Sequence, residues 1–279
     1  MPELPEVETT LRGIEPYIIG KKISSVIIRN PSLRWPVPEE IPNKLKNQVI
    51  DRIQRRGKYL LLQVSKEYLI IHLGMSGSLR ISKQADIKKH DHIDLCFEDG
   101  TYLRYCDPRR FGCFLWTDDI EKHFLLKHLG PEPLSNSFNG EYLFEASRKR
   151  KTSVKNFIMN SRVVVGVGNI YASEALYAAG IRPTSKAGKV TKKKFNLLAQ
   201  EIVKILRKSI ENGGTTLRDF VSGDNAPGYF KQSLKVYGRE GEKCYKCSTE
   251  IKGIRIGQRA SAYCPKCQAN FLTYLVELL

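Results

Sequence analysis

The chain has 279 residues, 41% of them hydrophobic and 27% charged, a composition typical of a soluble protein with a packed core. Lysine and arginine number 46 against 29 aspartate and glutamate residues, so the formal net charge of +17 indicates a polyanionic partner, either nucleic acid or an anionic membrane surface. No apolar run approaches the roughly 20 residues of a membrane span, and the first residues lack the features of a signal peptide. We therefore expect a cytoplasmic protein of two domains whose seven cysteines stay reduced.

The first half of the chain predicts one helix followed by short strands. Pro5 and Glu6 suit a first helical turn, and apolar residues recur from Val7 onward at helical spacing. Short β-like runs then follow between Lys22 and Trp116. These runs are Ile23–Arg29, Tyr59–Val64, Tyr68–His72, His92–Phe97, Tyr102–Tyr105 and Cys113–Thr117. Many short strands at this spacing indicate a β-sandwich or a barrel.

The second half of the chain is predicted to be helical. Leu129–Asn139 is rich in proline, serine and asparagine and marks the domain boundary. The helical candidates are Glu141–Ser147, Ser153–Met159, Asn169–Ala179, Lys192–Glu211 and Thr216–Phe220. Gly213 and Gly214 end the long helix as a C-cap does, and the composition of Val221–Tyr229 predicts a mobile loop.

Four of the seven cysteines form two C-x-x-C pairs separated by sixteen residues: Cys244, Cys247, Cys264 and Cys267. This spacing is typical of a four-cysteine zinc hairpin, whereas a redox motif needs one pair in a βαβ context. Because four thiolates fill a tetrahedral site, the predicted zinc ion is structural. Positive residues between the pairs, Arg259 among them, predict that the hairpin presents charge to a phosphate.

The N-terminus offers a possible nucleophile. Pro2 follows the initiator methionine, and a small second residue permits removal of that methionine, which would leave a secondary amine at the start of the chain. An α-amine has a pKa of about 8 and can attack a sugar carbon to give an iminium ion. On position alone, however, the start of a helix is the simpler interpretation of Pro2.

Six further segments occur in a fixed order around these features. They are Pro2–Glu8 (PELPEVE), Arg56–Leu61 (RGKYLL), His72–Gly77 (HLGMSG), Lys89–His92 (KHDH), Asp107–Gly112 (DPRRFG) and Val165–Tyr171 (VGVGNIY). Together with the four-cysteine unit they closely resemble the formamidopyrimidine-DNA glycosylase family, over nearly the whole chain to about Gln268. The related endonuclease VIII group typically has glycine in place of Leu4 and lacks the pattern of Met75, Arg109 and Phe111.

The resemblance implies four catalytic roles. Pro2 is the expected nucleophile that displaces the damaged base and forms a Schiff base. Glu3 is expected to donate a proton to the deoxyribose ring, and Lys58 to serve proton transfer in β-elimination. Arg259 is expected to assist δ-elimination and bind a phosphate at the tip of the zinc hairpin. Without the resemblance, Glu3 is a helix-start acid and Lys58 an ordinary surface lysine.

The resemblance also implies a set of DNA contacts. Met75, Arg109 and Phe111 are similar to the family's insertion residues, which fill the gap left when a nucleotide is flipped out of the duplex. His90, Lys151 and Asn169 match further DNA contacts of the family. Asn169 follows two glycines where a helix begins, a position at which backbone N–H groups can approach a phosphate. The loop Val221–Tyr229 is expected to close over the flipped base.

The expected fold is α+β, with an N-terminal β-sandwich, a helix–two-turns–helix domain and a four-cysteine zinc β-hairpin. We assign residues 1–134, 135–240 and 241–270 to these parts and 271–279 to a C-terminal extension. The expected partner is double-stranded DNA with oxidised bases or abasic sites, bound by a monomer with one zinc ion and without a membrane. Apolar residues at helical spacing in Ala269–Leu279 predict a short helix on the protein's own surface or a partner contact.

Two other functions account for part of this pattern. A non-catalytic zinc-ribbon module that binds DNA explains the charge and the cysteines but not Pro2, Glu3 and Lys58. An enzyme of the endonuclease VIII type would apply the same chemistry to oxidised pyrimidines. Strand-cleavage and base-preference assays separate these functions from the excision of oxidised purines.

Overall fold

The computed structural model describes residues 2–83, 87–213 and 234–269. The described residues up to His128 form one compact unit, and Leu129–Asn212 with residues 234–269 form a second. Among these residues, no helix is both long and apolar enough to cross a membrane. The predicted helix Thr216–Phe220, the loop Val221–Tyr229 and the extension beyond Ala269 lie outside the described residues.

The first unit opens with helix α1, Leu4–Ile18. The backbone N–H of Glu3 donates to Glu6 Oε2 at 2.9 Å, which satisfies one of the donors that a helix leaves free at its start. Val7, Leu11 and Ile14 recur at helical spacing and are buried, as the sequence predicts.

Eight strands follow α1 and form two antiparallel four-stranded sheets. One sheet has the order β1 (Ile23–Ile28), β6 (Asp91–Phe97), β7 (Tyr102–Cys106), β5 (Ser78–Ser82). The other has the order β2 (Arg52–Arg56), β3 (Tyr59–Val64), β4 (Glu67–His72), β8 (Cys113–Thr117). Buried side chains from both sheets and from α1 share one hydrophobic core, which confirms the predicted sandwich.

Two strands and one helix of this unit were not predicted. Strand β2, RIQRR, has one fully buried side chain, Ile53, and strand β5, SLRIS, has one, Leu79. Too few apolar residues alternate in either strand to produce a period-2 signal, since both owe their structure to pairing with a neighbour. The helix α2, Ile41–Leu45, lies within a proline-rich stretch and was also missed. Its five residues are too few to show a helical periodicity in the sequence.

The second unit is helical, as predicted. Its helices are α3 (Gly140–Ser147), α4 (Val154–Ile158), α5 (Asn169–Ala178) and α6 (Lys192–Glu211). Helix α6 starts where the Thr191 hydroxyl accepts from the Lys194 N–H and ends before Gly213, which has φ +73°. Its buried face packs against α3 and α5.

A two-stranded hairpin completes the described part of this unit. Strand β9 (Lys252–Ile256) pairs antiparallel with β10 (Arg259–Tyr263). The segment leading into the hairpin is fixed by the buried carboxylate of Glu174 on α5. Its oxygens accept backbone N–H groups of Lys235, Val236 and Tyr237 at 2.8–2.9 Å.

Candidate functional site

The N-terminal residues are held by the first turn of α1. Pro2 is half-buried and Glu3 is 2% exposed, an unusual burial for a carboxylate. The bond from Glu3 N–H to the equally buried Glu6 carboxylate fixes the backbone of Glu3. Because Pro2 is the preceding residue, this bond also restricts where the Pro2 nitrogen lies.

Lys58 occupies the two-residue turn between β2 and β3. Arg56 pairs with Tyr59, and Gly57 at the first central position has φ +60°, as a type II′ turn requires. Arg55 braces this turn, since its Nη1 donates to Gly57 O at 3.0 Å. The same guanidinium donates through Nε to Glu8 Oε2 of α1 at 2.9 Å. The turn that carries Lys58 and the helix that follows Pro2 are therefore joined by a partly buried ion pair.

His72 lies at the end of β4 near this turn. Its ring packs 4.8 Å from the ring of Tyr59, and its Nδ1 accepts the Gly74 N–H at 3.0 Å. Burial, together with the positive charges of Lys58 and Arg34, lowers the pKa of His72 from 6.5 to about 4. At neutral pH the imidazole is uncharged, so it adds no further repulsion to a cluster of cations.

The loop that carries Met75 and the loop of Asp107–Gly112 lie in backbone contact. A Cβ atom on Gly74 would lie 2.5 Å from Gly112 N, and Gly74 also has φ +61°. Only glycine allows so close an approach with that backbone conformation. The contact brings together Met75, 41% exposed, and Phe111, 43% exposed, as an insertion set requires.

Asp107 organises both loops, a role that the sequence reasoning did not assign. Its fully buried carboxylate accepts the Gly112 N–H at 2.9 Å through Oδ2 and the Ser76 hydroxyl at 3.0 Å through Oδ1. The Arg109 N–H also points to Oδ1, at 3.3 Å. The sequence signal was an aspartate preceding Pro-Arg-Arg, since Asp side chains accept backbone N–H groups two residues on.

The remaining predicted DNA contacts of this unit lie at the same edge. The Arg109 guanidinium stacks over the Phe111 ring at 4.8 Å. His90 is half-buried, and its carbonyl accepts the Asp107 N–H at 3.1 Å. The structure thus brings Met75, His90, Arg109 and Phe111 onto the loops that Asp107 joins.

In the second unit, Arg259 stands at the tip of the β9–β10 hairpin. It pairs with Ile256 across the turn Gly257–Gln258, and Gly257 has φ +60°. The carbonyl of the next residue, Ala260, accepts Asn169 Nδ2 at 2.9 Å. Asn169 therefore contacts the residue that follows Arg259 in the hairpin, and Asn169 and Arg259 are both predicted site residues.

Lys155 is a further residue that sequence reasoning missed. It belongs to α4, is 1% exposed, and donates through Nζ to Ser261 Oγ at 2.6 Å. A buried lysine needs such partners, and this one ties the hairpin strand that starts with Arg259 to the helical domain. Lys151, a predicted DNA contact, is exposed and precedes α4.

The side chain of Asn169 is only partly satisfied by the described residues. Its Oδ1 is buried and lacks a hydrogen-bond partner among them. Asn169 is the first residue of α5, and Gly168 is the helix cap. The site therefore combines a helix N-terminus with glycines that let a ligand approach the backbone, as predicted.

The four predicted zinc ligands converge. Their Sγ atoms all lie within 4.8 Å of one another, with separations of 3.4 Å (Cys247–Cys264), 3.5 Å (Cys247–Cys267) and 3.9 Å (Cys244–Cys267). Zinc–sulfur bonds of about 2.3 Å in a tetrahedron place sulfurs about 3.8 Å apart, so the donor set fits zinc.

Groups outside the four thiols orient them. The Tyr177 hydroxyl lies 3.2 Å from Cys244 Sγ, and the Cys264 N–H donates to the fully buried Gln268 Oε1. Gln268 Nε2 in turn donates to Ile181 O at 2.8 Å. The cluster is thereby tied to the helical domain, and its four thiolates leave zinc no open position for a substrate.

Family models match in three blocks. Residues 1–114 match the formamidopyrimidine-DNA glycosylase N-terminal domain, and residues 129–221 match the H2TH domain of the same family. Residues 241–270 match the zinc finger found in FPG and IleRS. Together with the thiol geometry, this match assigns one structural zinc ion to the chain.

Curated relatives and solved structures agree with these models. Formamidopyrimidine-DNA glycosylases of Stutzerimonas stutzeri and Escherichia coli are each 55% identical over 269 residues, which is 96% of this chain and 100% of theirs. The Lactococcus lactis Fpg complexed with DNA containing an abasic site has a TM-score of 0.88 and 36% identity, again over 96% and 100% of the chains. MutM bound to DNA containing carbocyclic 8-oxo-G gives the same values.

Proposed function

The chain belongs to the formamidopyrimidine-DNA glycosylase family, and on that premise we propose that it excises oxidised purines from duplex DNA with Pro2 as the nucleophile. The substrates are 8-oxoguanine and formamidopyrimidines, and the same active site cuts the strand at the abasic site. The family assignment makes the protein a DNA glycosylase of base excision repair with abasic-site lyase activity.

One observation carries the proposed mechanism. The half-buried Pro2 and the buried Glu3 lead directly into helix α1. Arg55, next to the Lys58 turn, donates to Glu8 of that helix at 2.9 Å and so joins the turn to the helix. A secondary amine, a carboxyl group and an ammonium group are thus fixed on one braced substructure, as acid–base chemistry at a sugar requires.

Base release starts with the Pro2 amine, of which a useful fraction is unprotonated near neutral pH. The nitrogen lone pair attacks C1′, and the N-glycosidic bond breaks with its electron pair leaving on the base, which takes up the proton that the attacking nitrogen loses. Glu3 donates a proton to O4′, the sugar ring opens, and the electron pair on nitrogen forms the C1′=N⁺ iminium.

Strand cleavage follows from the same intermediate. The iminium withdraws electrons from C1′, so the C2′ proton becomes acidic and is removed. The C–O bond to the 3′ phosphate then breaks and the phosphate leaves with the electron pair. Lys58 serves proton transfer in this β-elimination. A second elimination, assisted by Arg259, expels the 5′ phosphate and frees the sugar.

Access to C1′ requires that the damaged nucleotide leave the base stack. Met75 and Phe111 are exposed apolar side chains on loops that Asp107 and Gly74 hold together. They fill the gap in the stack, and the adjacent Arg109 bonds the base left without a partner.

Borohydride trapping tests the nucleophile. Reduction of the iminium on an 8-oxoguanine duplex is expected to lock the protein onto DNA, and peptide mass spectrometry should place the bond on Pro2. Pro2→Gly or retention of Met1 should abolish or sharply weaken the trapped species. Lys58→Met should still form it, as should the matched surface variant Lys46→Met. A crosslink on Lys58 would overturn the assignment of the nucleophile.

Substrate preference tests the rest of the proposal. Duplexes with 8-oxoguanine should be cut faster than those with oxidised pyrimidines, whereas the reverse order favours an activity of the endonuclease VIII type. Binding without strand cleavage on every lesion would reduce the protein to a DNA-binding module.

A further inference from the structure

A pocket of about 430 Å³ lies beside the insertion loop in the first unit. Its lining residues come from two loops and include three arginines: Ser32, Leu33, Arg34, Arg109, Arg110 and Phe111. The resemblance assigns roles to Arg109 and Phe111 only. Arg34 and Arg110 are left without a function.

Unlike Arg29, Arg80 and Arg104 of the same unit, the three guanidinium groups have no acidic partner among the described residues. Within the described ranges, Arg34, Arg109 and Arg110 form no ion pair with a carboxylate. By contrast, Arg104 binds Asp94 at 2.8 Å and Arg29 binds the same carboxylate at 2.6 Å. Cations that converge without a counter-charge repel one another, and an anion in the pocket relieves that repulsion.

Hydrogen bonds and packing against the core fix the loop that carries Arg34. Asn30 Oδ1 accepts the Ser32 N–H at 2.9 Å, and Leu33 is buried in the hydrophobic core. The Arg34 N–H donates to Gly112 O at 3.2 Å, which joins this loop to the insertion loop. The Arg34 guanidinium stacks over the Trp35 ring at 5.0 Å, so an aromatic face positions it without neutralising it.

The insertion loop presents Arg110 in a turn. Its N–H donates to Asp107 O at 3.1 Å, and its φ of +56° is uncommon for a residue other than glycine. Asp107 therefore fixes the backbone on both sides of Arg110. Gly112, whose carbonyl accepts the Arg34 N–H, lies against the His72 backbone, and His72 pairs with Tyr59 beside the Lys58 turn. The pocket therefore lies beside the proposed catalytic edge.

We propose that Arg34 and Arg110 form a phosphate-binding pocket that grips one backbone phosphodiester of the DNA next to the base gap filled by Phe111. The inference rests on the proposed function, since it names a contact of that substrate. A guanidinium fork matches phosphate oxygens bidentately, and a pair of forks fixes the register of the duplex against the wedge. The grip supplies affinity and position without reading sequence.

Salt dependence on a duplex with a tetrahydrofuran abasic analogue is the test. Each neutralised phosphate contributes about −0.9 to the slope of log affinity against log salt, so Arg34→Gln should make the slope about one unit shallower and weaken binding about tenfold. Arg110→Asn, which tolerates the left-handed backbone, should act in the same direction. Arg52→Gln removes an exposed arginine of the same unit outside the pocket and should change affinity far less.

Methylphosphonate substitution locates the phosphate and decides the inference. Neutralising single phosphates in either strand near the lesion should weaken wild-type binding at the gripped position and have no further effect there on Arg34→Gln. If every phosphate affects the two proteins equally, or if Arg52→Gln reproduces the loss, the pocket is not a phosphate site. A wild-type protein that neither prefers lesion DNA nor cuts it would refute the proposed function instead.

Discussion

The turns Gly57–Lys58 and Gly257–Gln258 share one geometry, but the molecule supports them by different means. Each joins two antiparallel strands through two residues, with glycine first at φ +60°. The first turn caps a sheet whose side chains belong to the large core of the sandwich. The second caps a hairpin whose buried cluster consists of Val236, Cys244, Ile251, Ala262 and Cys264.

The difference shows where the stability of each proposed site residue comes from. The turn that carries Lys58 is stabilised by the hydrophobic core of the sandwich and by the ion pair of Arg55 with Glu8. Arg259 stands at the tip of a hairpin whose first strand is mostly exposed, and the hairpin is held by four thiols and by hydrogen bonds to Lys155 and Asn169. A small structure of this kind needs metal to fold, because its core alone cannot offset the loss of chain entropy.

Removal of zinc should have the largest effect and should separate the two turns. Structural zinc sites contribute about 10–16 kcal/mol of apparent binding free energy, so Cys264→Ser should lose zinc, unfold the hairpin and abolish tight DNA binding. The sandwich should keep its near-UV circular dichroism. Metal analysis and titration with lesion DNA measure both outcomes, and Cys96→Ser, a buried cysteine outside the cluster, is the matched control. Normal DNA binding by the metal-free protein would contradict the comparison.

Acidification should destabilise the first unit next most strongly. The pKa of His72 is lowered to about 4 by burial and by Lys58 and Arg34, whereas the unfolded chain protonates near 6.5. Between these values the unfolded state binds more protons, so stability present above pH 6.5 falls by about 3 kcal/mol as the pH drops to 4. Denaturant unfolding of wild type at several pH values measures the loss.

His72→Asn tests whether His72 causes this loss of stability at low pH. Asparagine keeps an acceptor for the Gly74 N–H but does not titrate, so the part of the fall between pH 6.5 and 4 that His72 causes should disappear. His128→Asn, an exposed histidine of the same unit, should leave it unchanged. If the stability of His72→Asn falls with pH as much as that of wild type, other groups cause the acid sensitivity.

Glu174→Gln should weaken the entry to the hairpin by about 2 kcal/mol. The carboxylate accepts three backbone N–H groups, and an amide presents a donor to at least one of them. Hydrogen exchange should show residues 234–237 opening while the sandwich stays protected. Exposed Glu211→Gln serves as the control, and equal protection in both variants would show that the carboxylate does not hold this segment.

Sequence reasoning found the parts of the molecule that have a strong local pattern. The amphipathic helix α6, the strands Tyr59–Val64 and Cys113–Thr117, and the cysteine cluster lie where the pattern places them. It missed β2 and β5, which have few apolar residues of their own and are held by pairing with β3 and β7. It also missed Asp107 and Lys155, because a buried polar residue is recognised only by partners that the chain brings from elsewhere.

The site residues taken from the family resemblance divide in the same way. Their positions in the chain follow from the motifs, but the supports that orient them do not. Arg55 and Gly74 are an ordinary basic residue and an ordinary turn glycine in the sequence. Only the structure shows the first bonded to both Glu8 and Gly57 and the second pressed against Gly112.

The smallest expected effect comes from weakening the ion pair that supports the Lys58 turn. Two arginines bind the same carboxylate, so their variants can be compared directly. Burial raises the pKa of Glu8, but hydrogen bonds from Arg55 and Arg12 outweigh it and hold that pKa below its ordinary value. The Arg55 side chain is 9% exposed and that of Arg12 is 60% exposed, so only the first pair is sheltered from solvent. Arg55→Gln should therefore cost about 1 kcal/mol of stability, and Arg12→Gln at most a few tenths.

Because Arg55 also bonds Gly57 O, its loss should slow cleavage of a pre-formed abasic site several-fold in single-turnover assays, whereas Arg12→Gln should leave that rate unchanged. Equal rates in the two variants would mean that the strands alone, and not the bond to α1, hold Lys58 in place.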